Sequence, residues 1–246
     1  MNLNQMPMAE FDHSGVTISY FDQPPKAEVT AQTTPILLIH GFASSAHVNW
    51  VYPSWVKTLT EAGYRVIALD NRGHGGSEKL YDPEAYFAAK MAEDSRGLLD
   101  HLSIDEAHVM GYSMGARLTA FLALAHPARV RTAVFGGLGM GMIRGVGASQ
   151  PIVDALLADD PDQITDDVGK RFRLFADATK SDRKALAACM VSTRQLVSET
   201  EIAKLQPPSL VAVGTKDDIS GSGEQLSGLI PGSKYLEIPG RDHQLA

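Results

Sequence analysis

Short runs that are apolar at every position recur along the chain, with longer helix-like stretches between them. Ile36-Leu37-Leu38-Ile39 is one such run, and a strand apolar on both sides is one buried on both faces of a sheet. Arg65–Leu69, His108–Met110, Thr132–Phe135, Leu210–Val213 and Tyr235–Ile238 read the same way, and Ser54–Ala62, Tyr86–Leu102, Met114–Ala125 and Gly223–Leu229 predict helices between them. Strand and helix alternating at this spacing predict an α/β fold, a mainly parallel central sheet with helices on both faces. Phe11–Phe21 departs from the rhythm. Two short β-like pieces flank Ser14-Gly15 there, which predicts an antiparallel hairpin at the sheet edge.

From Gly139 to about Gln206 no strand is expected. Glycine-rich sequence (Gly136, Gly137, Gly139, Gly141, Gly145, Gly147) leads into the acidic helical stretches Ile152–Ala158 and Arg183–Val197. The expectation is a single domain over 1–246, with a core of 1–138 and 207–246 and a helical cap inserted over about 139–206. Gly139–Gly147 is the candidate hinge. Insertions above the C-terminal edge of such a sheet are where substrates usually sit.

Composition narrows the function classes. The 246 residues are 44% hydrophobic and 21% charged, as in an ordinary globular protein. Cys189 is the one cysteine, which excludes an intrachain disulfide and a cysteine-rich zinc module. Lys plus Arg number 22 against 29 acids, a net charge of −7, so no basic field invites nucleic acid. The longest apolar stretches, such as Leu118–Ala125, fall far short of the roughly 18–20 residues that span a bilayer. MNLNQMPMAEF carries no basic start followed by an apolar run, so no signal peptide is expected and the cytoplasm is the expected compartment. No H-x-x-x-H or Cys/His/Asp cluster occurs, so neither metal nor cofactor is expected. The expected partner is a small-molecule substrate, with no nucleic acid and no membrane; the oligomeric state is open.

The candidate chemistry begins at Gly111-Tyr112-Ser113-Met114-Gly115, a G-x-S-x-G motif between a predicted strand and a predicted helix. A tight strand-to-helix turn needs glycines beside the serine, lifts its hydroxyl to the top of the sheet and sets it at a helix N-terminus, where a developing anion is favoured. A serine needs a base within hydrogen-bond reach. His243, in Pro239-Gly240-Arg241-Asp242-His243 after the last predicted strand, falls at the same sheet edge. His101, His108 and His126 read as surface or helix-terminal residues, and His13 and His47 have no supporting context. The base in turn needs a carboxylate to fix its tautomer. Thr132–Val153 contains no Asp or Glu, which leaves Asp217 or Asp218 in Gly214-Thr215-Lys216-Asp217-Asp218, with Asp217 preferred.

Five motifs in this order resemble the α/β-hydrolase fold family, from about Phe11 to the C-terminus apart from the cap. His40-Gly41-Phe42 looks like its oxyanion loop and Asp70-Asn71-Arg72-Gly73-His74-Gly75-Gly76-Ser77 like its D-x-R-G-x-G-x-S loop. Gly111–Gly115 matches the nucleophile elbow, Gly214–Asp217 the G-x-x-D loop and Gly240–His243 the histidine loop. The resemblance implies Ser113 as nucleophile, His243 as general base then acid, Asp217 as orienter, and the backbone N–H groups of Phe42 and Met114 as oxyanion hole. Asp70, Arg72, His74 and His40 are implied to be structural. Family members that use an aspartate nucleophile, the haloalkane dehalogenases and epoxide hydrolases, are excluded by the serine at 113. The family's helix after the histidine loop has no counterpart in Gln244-Leu245-Ala246: either it is missing or the chain is cut short, and loss of its packing would leave the His243 loop mobile. Phe42, Trp50, Tyr112, Met114, Met140 and Met142 are candidate walls of an apolar acyl pocket, and no arginine pair suggests a charged substrate. The expected reaction is acyl transfer to water on a small or medium apolar ester, thioester or lactone. Carbon–carbon bond hydrolysis and cofactor-free perhydrolysis share these motifs. A non-catalytic member that binds a small molecule or a partner is the alternative outside enzymes.

Overall fold

A computed structural model describes residues 6–26 and 32–244; the first part of the N-terminal segment read for a signal peptide, and Leu245 and Ala246, lie outside the described residues. Eight strands form one sheet: β1 (Ala9–His13), β2 (Val16–Gln23), β3 (Ile36–Ile39), β4 (Val66–Leu69), β5 (Ala107–Tyr112), β6 (Val130–Gly136), β7 (Ser209–Gly214) and β8 (Lys234–Ile238). Their order is β1-β2-β4-β3-β5-β6-β7-β8. The first two strands run antiparallel, to each other and to β4, and the rest are parallel. His13 pairs with Val16, so Ser14 and Gly15, at φ 55° and 79°, form the two-residue turn expected at the edge.

The strands of the sheet centre are buried because they are apolar on both sides. Leu37 and Ile39 face one core with α2 (Ala88–His101), α3 (Met114–Ala125) and α9 (Gly223–Leu229), while Ile36 and Leu38 face another with α1 (Trp55–Glu61) and Trp50. Helices therefore cover both faces, unequally. Val109, Ala133, Phe135 and Val211 are buried under α3 and α9, whereas Met110, Thr132, Val134 and Leu210 on the opposite side are half-buried. The chain leaves β3 for β4 and returns on the other side to β5. The loops after β3 and β5 thus part company above their strands and open a crevice at the C-terminal sheet edge, the place where such folds bind ligands.

Between β6 and β7 lie only helices: α4 (Gly141–Arg144), α5 (Gln150–Leu157), α6 (Asp167–Ala178), α7 (Arg183–Ser192) and α8 (Glu199–Ile202), besides a 3-10 turn. α7 stops at Ser192, short of the stretch to Val197 expected to be helical. α6 is a further helix that the sequence reading did not place: Phe172, Phe175 and Ala176 pack on a small core with α5 and α7, and Arg173 is buried as well. The candidate hinge is fastened at its start: Gly139 and Gly141 donate their N–H to the Ser220 carbonyl (3.0 and 2.9 Å) and Met140 to that of Ser222 (3.0 Å). No helix among the described residues is long and apolar enough to cross a membrane.

Candidate active site

β5 ends at Tyr112 and α3 begins at Met114, so Ser113 makes the whole turn, at φ 53° and ψ −111°. A non-glycine residue held there is strained and persists only because its surroundings over-determine it. The flanking glycines supply that constraint. A Cβ on Gly111 would lie 2.1 Å from the Gly115 carbonyl oxygen, and one on Gly115 would lie 1.9 Å from that of Ile39, so no side chain fits at either position.

The loops after β7 and β8 bring Asp217 and His243 to this turn. His243 Nε2 lies 3.0 Å from Ser113 Oγ, and its Nδ1 lies 2.8 Å from Asp217 Oδ2. The ionised carboxylate has no hydrogen to give, so Nδ1 carries the proton and Nε2 is free to accept from the serine. Asp217 Oδ1 accepts the backbone N–H groups of Ile219 and Ser220, both at 2.9 Å, and the Ser220 hydroxyl donates to Oδ2 at 2.5 Å. Burial pushes the Asp217 carboxyl up, but the His243 hydrogen bond, its charge and the Ser220 donors outweigh burial and hold it below the ordinary carboxylate value. The Tyr112 hydroxyl donates to the His243 backbone carbonyl at 2.6 Å, and the two rings lie 5.6 Å apart. Sequence reasoning had no signal for that bond, nor for the buried Ser220 hydroxyl. Asp218, the other acid considered, points away, is exposed, and faces Arg171 at 3.8 Å. None of the other histidines hydrogen-bonds Ser113.

The loop after β3 closes the site from the other side. Gly41 approaches Ser113 so closely that a Cβ there would meet Ser113 Cβ at 3.5 Å, and its N–H is held by Asn49 Oδ1 at 2.9 Å from a single π-helical turn, His47–Val51. Among the described residues the backbone N–H groups of Phe42 and Met114 have no hydrogen-bond partner. The site thus holds a base-linked hydroxyl beside two open amide donors.

A cavity of about 1010 Å³ opens onto Ser113 and His243 and continues along the half-covered sheet face past Met110, Val134 and Leu210. Phe42, Trp50, Tyr112 and Met114 line it as the sequence suggested. Met140 and Met142 do not: both are buried in the main core, because the turn after β6 folds back onto the loop at Ser220–Ser222 and points them inward. Arg117, Arg171 and Arg194, with Asp218 and Asp242, also line the cavity, and the sequence reading did not expect the arginines there.

Residues 34–174 match the family described as alpha/beta hydrolase fold. The chain belongs to the α/β-hydrolase fold family. Epoxide hydrolase B of Mycobacterium tuberculosis is 35% identical over 108 residues, a match covering 44% of this chain and 28% of that protein, so the chain spans under a third of that relative's length. The crystal structure of the enol-lactonase from Burkholderia xenovorans LB400 superposes with a TM-score of 0.76 at 22% identity, covering 94% of this chain and 91% of that one. Esterase RhEst1 from Rhodococcus sp. ECU1013 does so with a TM-score of 0.76 at 25% identity, covering 97% and 92%.

Proposed function

We propose that this chain is a serine hydrolase that cleaves a small or medium carboxylic ester, thioester or lactone through an acyl-enzyme on Ser113. The observation that carries the reading is the continuous hydrogen-bonded line from Asp217 through His243 to Ser113, ending beside the open amides of Phe42 and Met114. Ser113 Oγ attacks the substrate carbonyl carbon as His243 Nε2 takes its proton, and Asp217 stabilises the imidazolium. The carbonyl oxygen becomes an oxyanion and accepts hydrogen bonds from the two amides; one such donor is typically worth about 10²–10³ in turnover. Collapse breaks the bond to the leaving oxygen or sulfur, which receives the proton from His243. Water then attacks the acyl-enzyme with His243 again as base, releasing the acid and restoring Ser113. Epoxide hydrolase B is similar to this chain, yet position 113 is a serine, which favours acyl transfer over the aspartate-based route.

Turnover of short p-nitrophenyl esters tests the reading. Ser113→Ala is expected to lower kcat/KM by about 10⁴-fold or more, and a fluorophosphonate is expected to add its mass to Ser113 alone. A folded wild-type sample that neither turns over any ester nor takes the label would overturn the reading and favour a binding module.

A further inference from the structure

The cavity's charge is at odds with a purely apolar substrate. In a chain of net charge −7, its wall holds three arginines, Arg117 on α3, Arg171 on α6 and Arg194 just after α7, and two aspartates, Asp242 and Asp218, the latter facing Arg171; Arg194 also borders a smaller pocket beside Gly147. Two of the arginines are tied to one short segment after β6. Arg117 donates from Nη2 to the Gly141 carbonyl at 3.0 Å, and from Nη1 to those of Met142 at 3.0 Å and Gln195 at 2.6 Å. Arg194 donates from Nη1 to the carbonyls of Gly147 (3.1 Å) and Ala148 (3.2 Å). Gln195, which Arg117 grips, is the residue after Arg194, and the Arg194 charge is close enough to act on Arg117.

Carbonyl oxygens satisfy the hydrogens of a guanidinium but do not neutralise its charge. Neither Arg117 nor Arg194 forms an ion pair among the described residues, although Arg117 is only 3% exposed. Burial, and secondarily the Arg194 charge, hold the Arg117 pKa at about 10, below the arginine value. Two uncompensated cations that act on each other favour an incoming anion. Arg117 has spent both terminal nitrogens on carbonyls. Arg194 has not: its Nε and Nη2 make no hydrogen bond among the described residues, which leaves a donor pair with the fork geometry that suits a carboxylate. Met114, Leu138, Val146 and Met190, which line the same cavity, are apolar. A ligand that fits is apolar along its length and anionic at one tip.

We infer that the acyl group this site accepts ends in a carboxylate, making the substrate a half-ester or half-thioester of a dicarboxylic acid or a carboxylate-bearing lactone, with Arg194 binding the free carboxylate and Arg117 adding to the field. The inference rests on the serine-hydrolase reading above. The free carboxylate keeps its bonds and protons throughout; only the ester bond reacts.

The test compares p-nitrophenyl hydrogen glutarate with p-nitrophenyl pentanoate, a neutral ester of similar length. The wild-type protein is expected to prefer the glutarate ester by kcat/KM, and Arg194→Gln to lower that preference about ten-fold, as loss of a charge-assisted hydrogen bond does. Arg194→Lys, which keeps the charge and loses the fork, is expected to lose less. Should Arg194→Gln not fold, the lysine variant supplies the comparison. A wild-type preference for the neutral ester, or a ratio that neither variant changes, would overturn the subsite and leave the hydrolase reading standing. If neither ester is turned over, the hydrolase reading fails, and calorimetric titration of glutarate decides the subsite separately. Binding weakened about ten-fold in Arg194→Gln supports it, and no glutarate binding to the wild-type chain overturns it.

Discussion

At the C-terminal ends of β3 and β4, His40, Asp70 and His74 lie together. At the ends of β5, β7 and β8, Ser113, Asp217 and His243 do the same. The residue types are nearly alike, but their partners differ. In the first cluster the partners are backbone groups. Asp70 accepts the N–H of Ala46 (2.7 Å) and Gly76 (2.8 Å). His40 donates from Nδ1 to the Gly41 carbonyl at 2.7 Å and accepts the Asn71 N–H on Nε2 at 2.9 Å, and His74 donates to the Arg72 carbonyl at 2.9 Å. Burial holds both histidines neutral, His40 at about 4 and His74, next to His40, at about 3. In the second cluster the histidine ring touches a carboxylate and a hydroxyl instead, and a carboxylate stabilises the imidazolium that a carbonyl would leave unpaired. A histidine fixed between backbone groups shapes a loop; one fixed between side chains can move a proton.

Exchanging the carboxylate for an amide attacks that distinction most directly. Asp217→Asn is expected to lower kcat/KM by about 10³–10⁴-fold, since the amide presents the wrong partner to Nδ1. Asp218→Asn, at an exposed position, is expected to stay within about two-fold. If the two results were reversed in ester hydrolysis, the assignment of the acid would be wrong.

The first cluster is expected to fail in the other currency, stability. Arg72 leaves the same loop to grip Asp94 on α2 through two bonds of 2.7 Å, Nε to Oδ2 and Nη2 to Oδ1, in a pair that is nearly inaccessible. Burial pushes the Asp94 carboxyl up and Arg72 pulls it back only in part. Asp94→Ala leaves a guanidinium buried and unpaired, which costs about 3–5 kcal/mol. Urea unfolding should show that loss; a cost below about 1 kcal/mol would mean that the loop tolerates an unpaired charge.

The motifs that were legible in sequence are those whose residue type is forced locally. Ile36 to Ile39 announce a doubly buried strand because Leu37 and Ile39 make one side apolar and Ile36 and Leu38 the other. Gly111 and Gly115 announce the elbow because any side chain there collides with backbone. The order of Ser113, Asp217 and His243 followed from which strand each loop ends. What stayed hidden depends on three-dimensional closure. Met140 and Met142 are hydrophobic enough to predict burial, but hydrophobicity does not say whether a residue is buried in core or cavity. Arg117 and Arg194 are tied to carbonyls of the segment after β6, and Arg117 to that of Gln195, which no spacing encodes. α6 buries an arginine where a helix usually buries leucine.

Acid should separate the clusters at intermediate size. In the unfolded chain His40 and His74 take up protons near pH 6.5, whereas in the folded chain they refuse them until about pH 4 and 3. The unfolded state therefore binds more protons below pH 6.5, so stability is full above that value and declines as pH falls toward the folded values, by about 1.4 kcal/mol per pH unit for each histidine. Thermal melting between pH 8 and pH 5 should show the decline, and His40→Asn should make it shallower. A flat profile would place both histidines in a wetter setting than their burial implies.

The smallest effect concerns the tie between the catalytic proposal and its scaffold. β8 is exposed along most of its length, so the His243 loop has little packing beneath it. Its main chain is held by the Lys216 N–H on the Arg241 carbonyl, by Thr215 on Gly240, and at residue 243 itself by the Tyr112 hydroxyl. Tyr112→Phe keeps the ring against the imidazole and removes only that bond, worth about 1 kcal/mol. The expected result is a fall in kcat of about three- to ten-fold with KM little changed, because the bond positions the base and does not touch substrate. A rise in KM at constant kcat would instead make Tyr112 a wall of the acyl pocket, as its place on the cavity lining first suggested.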